Sequence, residues 1–392
     1  MTQISMRDFI SQETKRNPHV FYAQLRSAEP LYYIEGLNAW LLTTYEDALF
    51  VLRDPRFTKD RNKVFPPQQD EQAANMQAIM FHNMLTTDPP DHTRLRRLVS
   101  KAFTPRMIEQ LRPRIQQIAD ELLDTVQEQG QMDLITDFAY PLPITVISQM
   151  LGIPTTDRKL FRTWTQMILN MQDDSATGME AFLRYIINLL AEKRAHPTND
   201  LTSNLVQVEE NGDQLSENEL ISMIFLLILA GHETTVNLIG NGTLALLQHP
   251  DQLQLLRTDP ALLPTAVEEL LRYTSPVSLS DERWATEDIP LHGKIIRKGD
   301  QVSAALIAAN SDGQQFSDPA VLDITRQDNQ HLAFGKGIHF CLGAPLARLE
   351  GQIAFGTLLR RLPSLRLACD PAQLTWNSNP MLRSMTSLPV EF

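Results

Sequence analysis

Cys341 is the residue whose setting most invites chemistry. It sits in the run Phe334-Gly335-Lys336-Gly337-Ile338-His339-Phe340-Cys341-Leu342-Gly343. Glycines on both sides allow positive φ and close backbone approach, which a flat cofactor lying against the loop would need. The stretch APLARLEGQIAFGTLLRRL after Gly343 predicts a helix, so Cys341 lies just before a helix N-terminus. Backbone N–H groups and the helix dipole favour a thiolate there. A nucleophile would need a base and an orienting partner; His339 is two residues away, but no nearby acid completes a triad. Zinc would need two or three more ligands, which are absent locally. A lone thiolate in a glycine-rich loop better suits an axial haem ligand. Cys369, in Leu367-Ala368-Cys369, reads as a small buried hydrophobe.

The run F-G-x-G-x-H-x-C-x-G resembles the haem loop of the cytochrome P450 family, and the resemblance extends from about residue 20 to the C-terminus. It implies haem b (iron protoporphyrin IX) with Cys341 as the iron's axial ligand, framed by Phe334, Gly335 and Gly343. The thiolate would donate electron density to iron and favour O–O cleavage. It also implies the family fold, a single triangular-prism-like domain over residues 1–392, mainly α with small β-sheets.

A second motif, Ala230-Gly231-His232-Glu233-Thr234-Thr235, is similar to the family's alanine-glycine-x-acid-threonine motif. Ala230 and Gly231 remove side-chain bulk and leave a groove for dioxygen. Thr234 can bond back to the carbonyl of Ala230 and bend the helix, and Glu233 can relay protons from solvent. Such an acid–alcohol pair argues against a peroxygenase. Haem carries two carboxylates that need cations when buried. His92 and Arg96 share one face of a predicted helix and match the family's H-x-x-x-R propionate pair, while Arg94, Arg97 and Lys101 share the opposite face. Arg283 and His339 match further propionate contacts. Glu269-Leu270-Leu271-Arg272 resembles the structural E-x-x-R motif, with Arg326 as the arginine that joins it. Asn310-Ser311-Asp312-Gly313 stands where Asn-Arg-Asp-Pro is expected, which predicts a looser turn.

The resemblance implies a dioxygen-dependent monooxygenase that hydroxylates or epoxidises a small apolar molecule, such as a macrolide, other polyketide or steroid. Four mostly aliphatic segments would line the pocket: Met84-Leu85, Leu226 with Leu227, Pro276 to Leu279, and Met381-Leu382. The face of Arg94, Arg97 and Lys101, with Lys336, could dock an acidic ferredoxin-type donor that receives electrons from NAD(P)H through its reductase. A non-catalytic haem protein that binds a gas or ligand is the second reading, and a cysteine hydrolase the third. A sensor has no need of Glu233 and Thr234.

Several elements must hold these residues. Leu31 to Ile34 and Ala39 to Thr43 read as strands around a turn at residues 36–38. Thr44 caps a helix with Glu46 and Asp47 in its first turn. Residues 60 to 88 read as a long loop. From about 89 to 275 the pattern is mainly helical, and Ser216 with Glu219 forms a capping box for a helix running to Gln248. A β-rich tail follows the last helix. The formal charge of -12 makes nucleic acid an unsuitable partner. Two cysteines exclude a disulfide framework. The N-terminus has no apolar h-region. The longest apolar run, Ile221 to Gly231, is shorter than the about 20 residues a bilayer requires, so no membrane is expected. A cytoplasmic monomer is the expectation.

Overall fold

The computed structural model describes residues 5–66, 83–169, 175–210 and 212–392. Ten elements position the candidate site. In chain order they are β1 (Leu31–Ile34), β2 (Ala39–Leu42), α1 (Tyr45–Arg53), β3 (Phe57–Thr58), α2 (Asp91–Ala102), α3 (Glu217–Gln248), α4 (Leu263–Thr274), β4 (Arg283–Ala285), β5 (Gln301–Ala304) and α5 (Ala344–Arg361). The described chain is mainly helical with small sheets, as expected. It divides into two compact units. One comprises Met1–Thr58, Arg112–Pro141 and Thr234–Phe392; the other comprises Lys59–Leu111 and Leu142–Glu233. Helix α3 begins in the second unit and continues into the first.

The first unit holds a five-stranded sheet in the order β1-β2-β5-β4-β3. β1 and β2 pair antiparallel across a short turn in which Asn38 takes φ 48°. β5 runs parallel to β2, with Val302 opposite Trp40, and antiparallel to β4, with Val302 opposite Arg283. Leu31, Leu42, Val51, Phe57 and Val302 are buried together, while Ile34 and Leu41 join Phe9, Tyr22 and Leu25 in a neighbouring cluster. Thr44 caps α1 by accepting from the Asp47 N–H at 3.1 Å. α3, α4 and α5 share a further apolar cluster that includes Leu238, Val267, Leu270 and Phe355.

Charge holds α4 in place. Glu269 is fully buried and accepts two bonds from Arg272, at 2.8 and 2.7 Å. The same carboxylate accepts from Arg326 and Asn329 at 3.1 Å each, and from the Asp323 N–H at 3.0 Å. Arg272 also donates to the carbonyls of Asn310, Pro319 and Val321. The turn at residues 310–313 is not loose. Asn310 is buried, with its Oδ1 accepting from the Leu332 N–H at 2.6 Å and its Nδ2 donating to Ser275 Oγ at 2.9 Å. Asp312 accepts from the Tyr45 N–H at 2.9 Å, satisfying an orphan donor at the start of α1. These bonds supply the stiffness that the expected arginine and proline would have given.

The tail has less β-structure than expected. It has two short strands, Arg366–Leu367 and Pro389–Glu391, and otherwise isolated bridges such as Val277 with Leu382.

In the second unit, Ser216 and Glu219 form the expected box: each backbone N–H donates to the other's side chain, at 2.8 and 3.3 Å. Phe161, Phe182 and Phe225 pack ring to ring at 5.3 Å spacings. Of the expected loop at 60–88, Arg61–Lys63 forms a short 3-10 turn; residues 67–82 lie outside the described residues. α3 is long and apolar enough to cross a membrane by length and composition, beyond what its short apolar run suggested, yet most of its apolar window is buried in protein. It is a core helix.

Glu269→Ala would strand Arg272 as a buried, uncompensated cation. The expected loss is about 3–5 kcal/mol of stability, read as an earlier midpoint in urea denaturation. A change within about 0.5 kcal/mol would contradict the assigned role.

Candidate active site

The cysteine loop lies wholly in the first unit. Residues Gly337–His339 form a 3-10 turn, and the Cys341 N–H donates to the Phe334 carbonyl at 3.0 Å, closing the loop. α5 begins at Ala344, three residues on, so the thiol stands just before a helix start as expected. Cys341 is exposed at the crest of the loop.

The two upstream glycines differ in purpose. Gly337 has φ +78°, and a Cβ there would lie 2.6 Å from the Leu52 carbonyl oxygen, so its close approach is to α1. Gly335 has φ +67° with open space where a Cβ would point, which suits a flat group against the loop.

The donor chemistry fits haem. Among the described residues no cluster of three or more His, Cys, Asp or Glu could hold a metal ion. A single accessible thiol suits a metal that would bring its remaining ligands with it, as porphyrin iron would. In the same unit, Arg283 opens β4 and is buried, and His339 sits half-buried two residues before the cysteine. In the second unit, α2 carries His92 buried and Arg96 half-buried on one side, and Arg97 and Lys101 exposed on the other. Arg94 departs from the expected basic face. It pairs with Asp213 at 3.1 Å and with Glu219, the capping residue of α3, so its charge is committed inside the unit.

In mid-α3, Ala230 is exposed while Gly231, Glu233 and Thr234 are half-buried, in a helix otherwise largely buried. Gly231 packs closely: a Cβ would lie 3.3 Å from Ile147 Cδ1. His232 is fully buried, with Nδ1 2.8 Å from the Ile228 carbonyl, and burial pushes it down to about 4, so it is neutral at pH 7. Glu233 keeps 21% of its side chain exposed and is the acid of this segment that reaches water.

The candidate pocket segments meet within each unit. In the first, Ser278 N–H donates to the Met381 carbonyl at 2.7 Å, and Val277 bridges Leu382. In the second, Asn83, beside Met84-Leu85, donates to Ser222 of α3 at 3.1 Å.

Sequence reasoning missed Glu350. It lies on α5 and is buried, and neither carboxylate oxygen makes a well-formed hydrogen bond among the described residues. Burial pushes it up to about 8, and the nearby Thr235 hydroxyl only partly offsets this. Its nine-residue spacing from Cys341 gave no hint, because burial is a property of the packed helices. A folded pKa above the ordinary 4.5 means the folded chain keeps its proton after the unfolded chain has lost it. Stability is then greatest below about 4.5 and falls as pH rises towards 8, by an amount on the order of a few kcal/mol. Glu350→Gln removes that dependence. It should melt higher than wild type at pH 8 with no such gain at pH 4.5; an equal change at both pH values would contradict a buried, protonated Glu350.

The family model described as Cytochrome P450 matches residues 9–196 and 180–382. The chain is similar to Cytochrome P450 CYP107DY1 of Priestia megaterium, at 54% identity over 100% of both chains. It is similar to Cytochrome P450 monooxygenase PikC of Streptomyces venezuelae, at 46% identity over 98% of this chain and 93% of that one. Its structure is similar to that of the bacillaene polyketide synthase cytochrome P450 PksS of Bacillus subtilis 168, with TM-score 0.91 and 45% identity over 98% of each chain. These likenesses give no support to a non-catalytic haem protein. With the glycine-rich loop, the exposed thiol and full-length similarity together, the chain belongs to the cytochrome P450 family and is a haem monooxygenase, taking electrons for dioxygen activation from a redox partner.

Proposed function

We propose that Cys341 is the axial thiolate of haem b, and that the enzyme hydroxylates or epoxidises an apolar molecule of polyketide type. The observation that carries this is the exposed Cys341 thiol on a glycine-rich loop closed by its own N–H to Phe334, just before the start of α5. Haem, when bound, supplies the iron at which dioxygen is reduced and split. Phe334, Gly335 and Gly343 shape the loop against the macrocycle. His92, Arg96, Arg283 and His339 bind the propionates. The burial of Arg283 supports this, since a buried guanidinium calls for an anion.

On α3, Ala230 and Gly231 keep space open for dioxygen. Thr234 holds a proton at its hydroxyl, and Glu233 exchanges protons with water at its carboxylate. Neutral, buried His232 takes no part in that exchange. The substrate class is supported by the similarity to PksS, a polyketide biosynthesis cytochrome P450, and by the aliphatic segments at Val277, Leu382, Met84 and Leu226.

Electrons come from NAD(P)H through a reductase and a ferredoxin-type donor, which docks at exposed Arg97 and Lys101 without Arg94. The enzyme works as a cytoplasmic monomer. Its two units interleave along the sequence, which supports one domain over residues 1–392.

The reduced, carbon-monoxide-bound protein should show a strongly red-shifted Soret band that Cys341→Ala and Cys341→His both lose. An ordinary haem spectrum in wild type would remove thiolate ligation. For the donor, Arg97→Glu with Lys101→Glu should slow ferredoxin-driven reduction and flatten its dependence on salt. Unchanged rates and salt dependence would place the docking surface elsewhere.

A further inference from the structure

Next to the buried Glu269, α4 carries a second carboxylate with a different set of partners. Glu268 accepts two parallel bonds from Arg348 of α5, Nε to Oε1 and Nη2 to Oε2, both at 2.7 Å. His331 Nε2 lies 3.2 Å from Glu268 Oε2. Its Nδ1 accepts the Ala333 N–H at 3.2 Å, which assigns the imidazole proton to Nε2 and makes His331 a donor to Glu268. The Arg348 guanidinium sits over the Phe334 ring, 4.7 Å from its centroid. Phe334 in turn provides the carbonyl that receives the Cys341 N–H.

One carboxylate therefore grips the cysteine loop from both ends. His331 precedes Phe334 by three residues, and Arg348 follows Cys341 by seven. Burial alone would push Glu268 up, but its bonds from Arg348 and His331 prevail and hold it down at about 2. Arg348 is raised by its bonds to Glu268, with a smaller contribution of the same sign from Cys341, and its guanidinium covers the ring of the residue whose carbonyl receives the Cys341 N–H. A bidentate pair fixes direction as well as distance.

We propose that Glu268 is a positioning residue for the thiolate: it aims the Arg348 charge at the Cys341 side of the haem and so sets how readily the iron accepts an electron. This rests on the reading of Cys341 as the axial ligand. A cation near the thiolate withdraws electron density from it and favours the ferrous over the ferric state. Glu268, bonded to that guanidinium through both carboxylate oxygens, tempers that effect.

The test is a spectroscopic redox titration of the haem-loaded enzyme, alongside its reduced carbon-monoxide spectrum. Arg348→Gln should lower the ferrous-to-ferric ratio at fixed poise severalfold. Glu268→Gln should raise it, and the Glu268→Gln/Arg348→Gln double variant, which strands no charge, should fall between the two. Arg348→Lys, which keeps the charge, should recover most of the ratio. A clamp that only stiffened the loop would lower the melting temperature of the single variants without moving the ratio in opposite directions. Equal ratios, or shifts of one sign in both single variants, would overturn the proposal while the red-shifted band of wild type still stood. A wild type without that band would remove the ligand assignment, and this proposal with it.

Discussion

One buried carboxylate organises the half of the molecule that carries the cysteine. Glu269 has no exposed surface, and five hydrogen bonds from Arg272, Arg326, Asn329 and the Asp323 backbone converge on it. An i, i+3 pair on a helix is normally a weak surface contact. Here the pair is removed from water, and its energy depends on satisfying every lone pair and N–H. Arg272 does this by reaching three carbonyls across the segment from Asn310 to Val321. That segment has little regular structure of its own. Its backbone acceptors are satisfied by a cation fixed on a helix, which lets an irregular stretch lead to the cysteine loop in one defined path.

The constraint spreads from there by short steps. Asn310, whose carbonyl Arg272 holds, uses its side chain to bond Leu332, two residues before Phe334. Asp312 accepts the Tyr45 N–H at the start of α1. α1 ends beside Gly337, where the Leu52 carbonyl leaves no room for a side chain. The loop is thus pinned at its entry by Asn310, at its side by α1 and at its exit by α5. Each contact is a directional polar bond or a close backbone approach, so small displacements are costly. Aliphatic packing, which tolerates volume-conserving exchange, does not define the loop to the same degree.

The parts of this arrangement that are local in the chain were legible in the sequence. The Thr44 cap, the box of Ser216 and Glu219, the hairpin at Asn38 and the glycines around Cys341 all depend on residues within a few positions of one another. The trio of Glu269, Arg272 and Arg326 was legible only through resemblance, because nothing in the spacing of residues 269 and 326 says they meet. What could not be read is the part set by three-dimensional packing. Asn310 and Asp312 looked like the ends of a weak turn, because their partners lie 22 and 267 positions away. Arg94 looked like one of three equivalent surface cations until its pairing with Glu219 separated it. Glu268 and Glu350 carried no signal in the sequence, because the groups that set their charge come from elsewhere in the chain or from burial. In each case the residue type was visible and the environment was not, and for an ionisable group the environment decides the chemistry.

The C-terminal tail is held by a different device. Its strands are short, so its backbone carbonyls lack ladder partners. Buried Lys15 supplies them, donating to the carbonyls of Asn379 and Leu382 at 2.6 Å each. Arg383 returns the contact by donating to the Lys15 carbonyl at 2.8 Å and stacking over Trp376, 4.2 Å from the ring centroid. Burial lowers both cations, Lys15 to about 8 and Arg383 to about 10, and both stay charged at neutral pH. The cysteine side is fixed by carboxylates that meet guanidinium groups, whereas the tail is fixed by cations that meet carbonyls. Charge-assisted pairs to a carboxylate are the stiffer of the two. The cysteine loop is fixed by the stiffer kind of contact, while the segment from Met381 to Leu382 is held through its backbone by Lys15, Ser278 and the Val277 bridge, which leaves its side chains free to differ without disturbing those bonds.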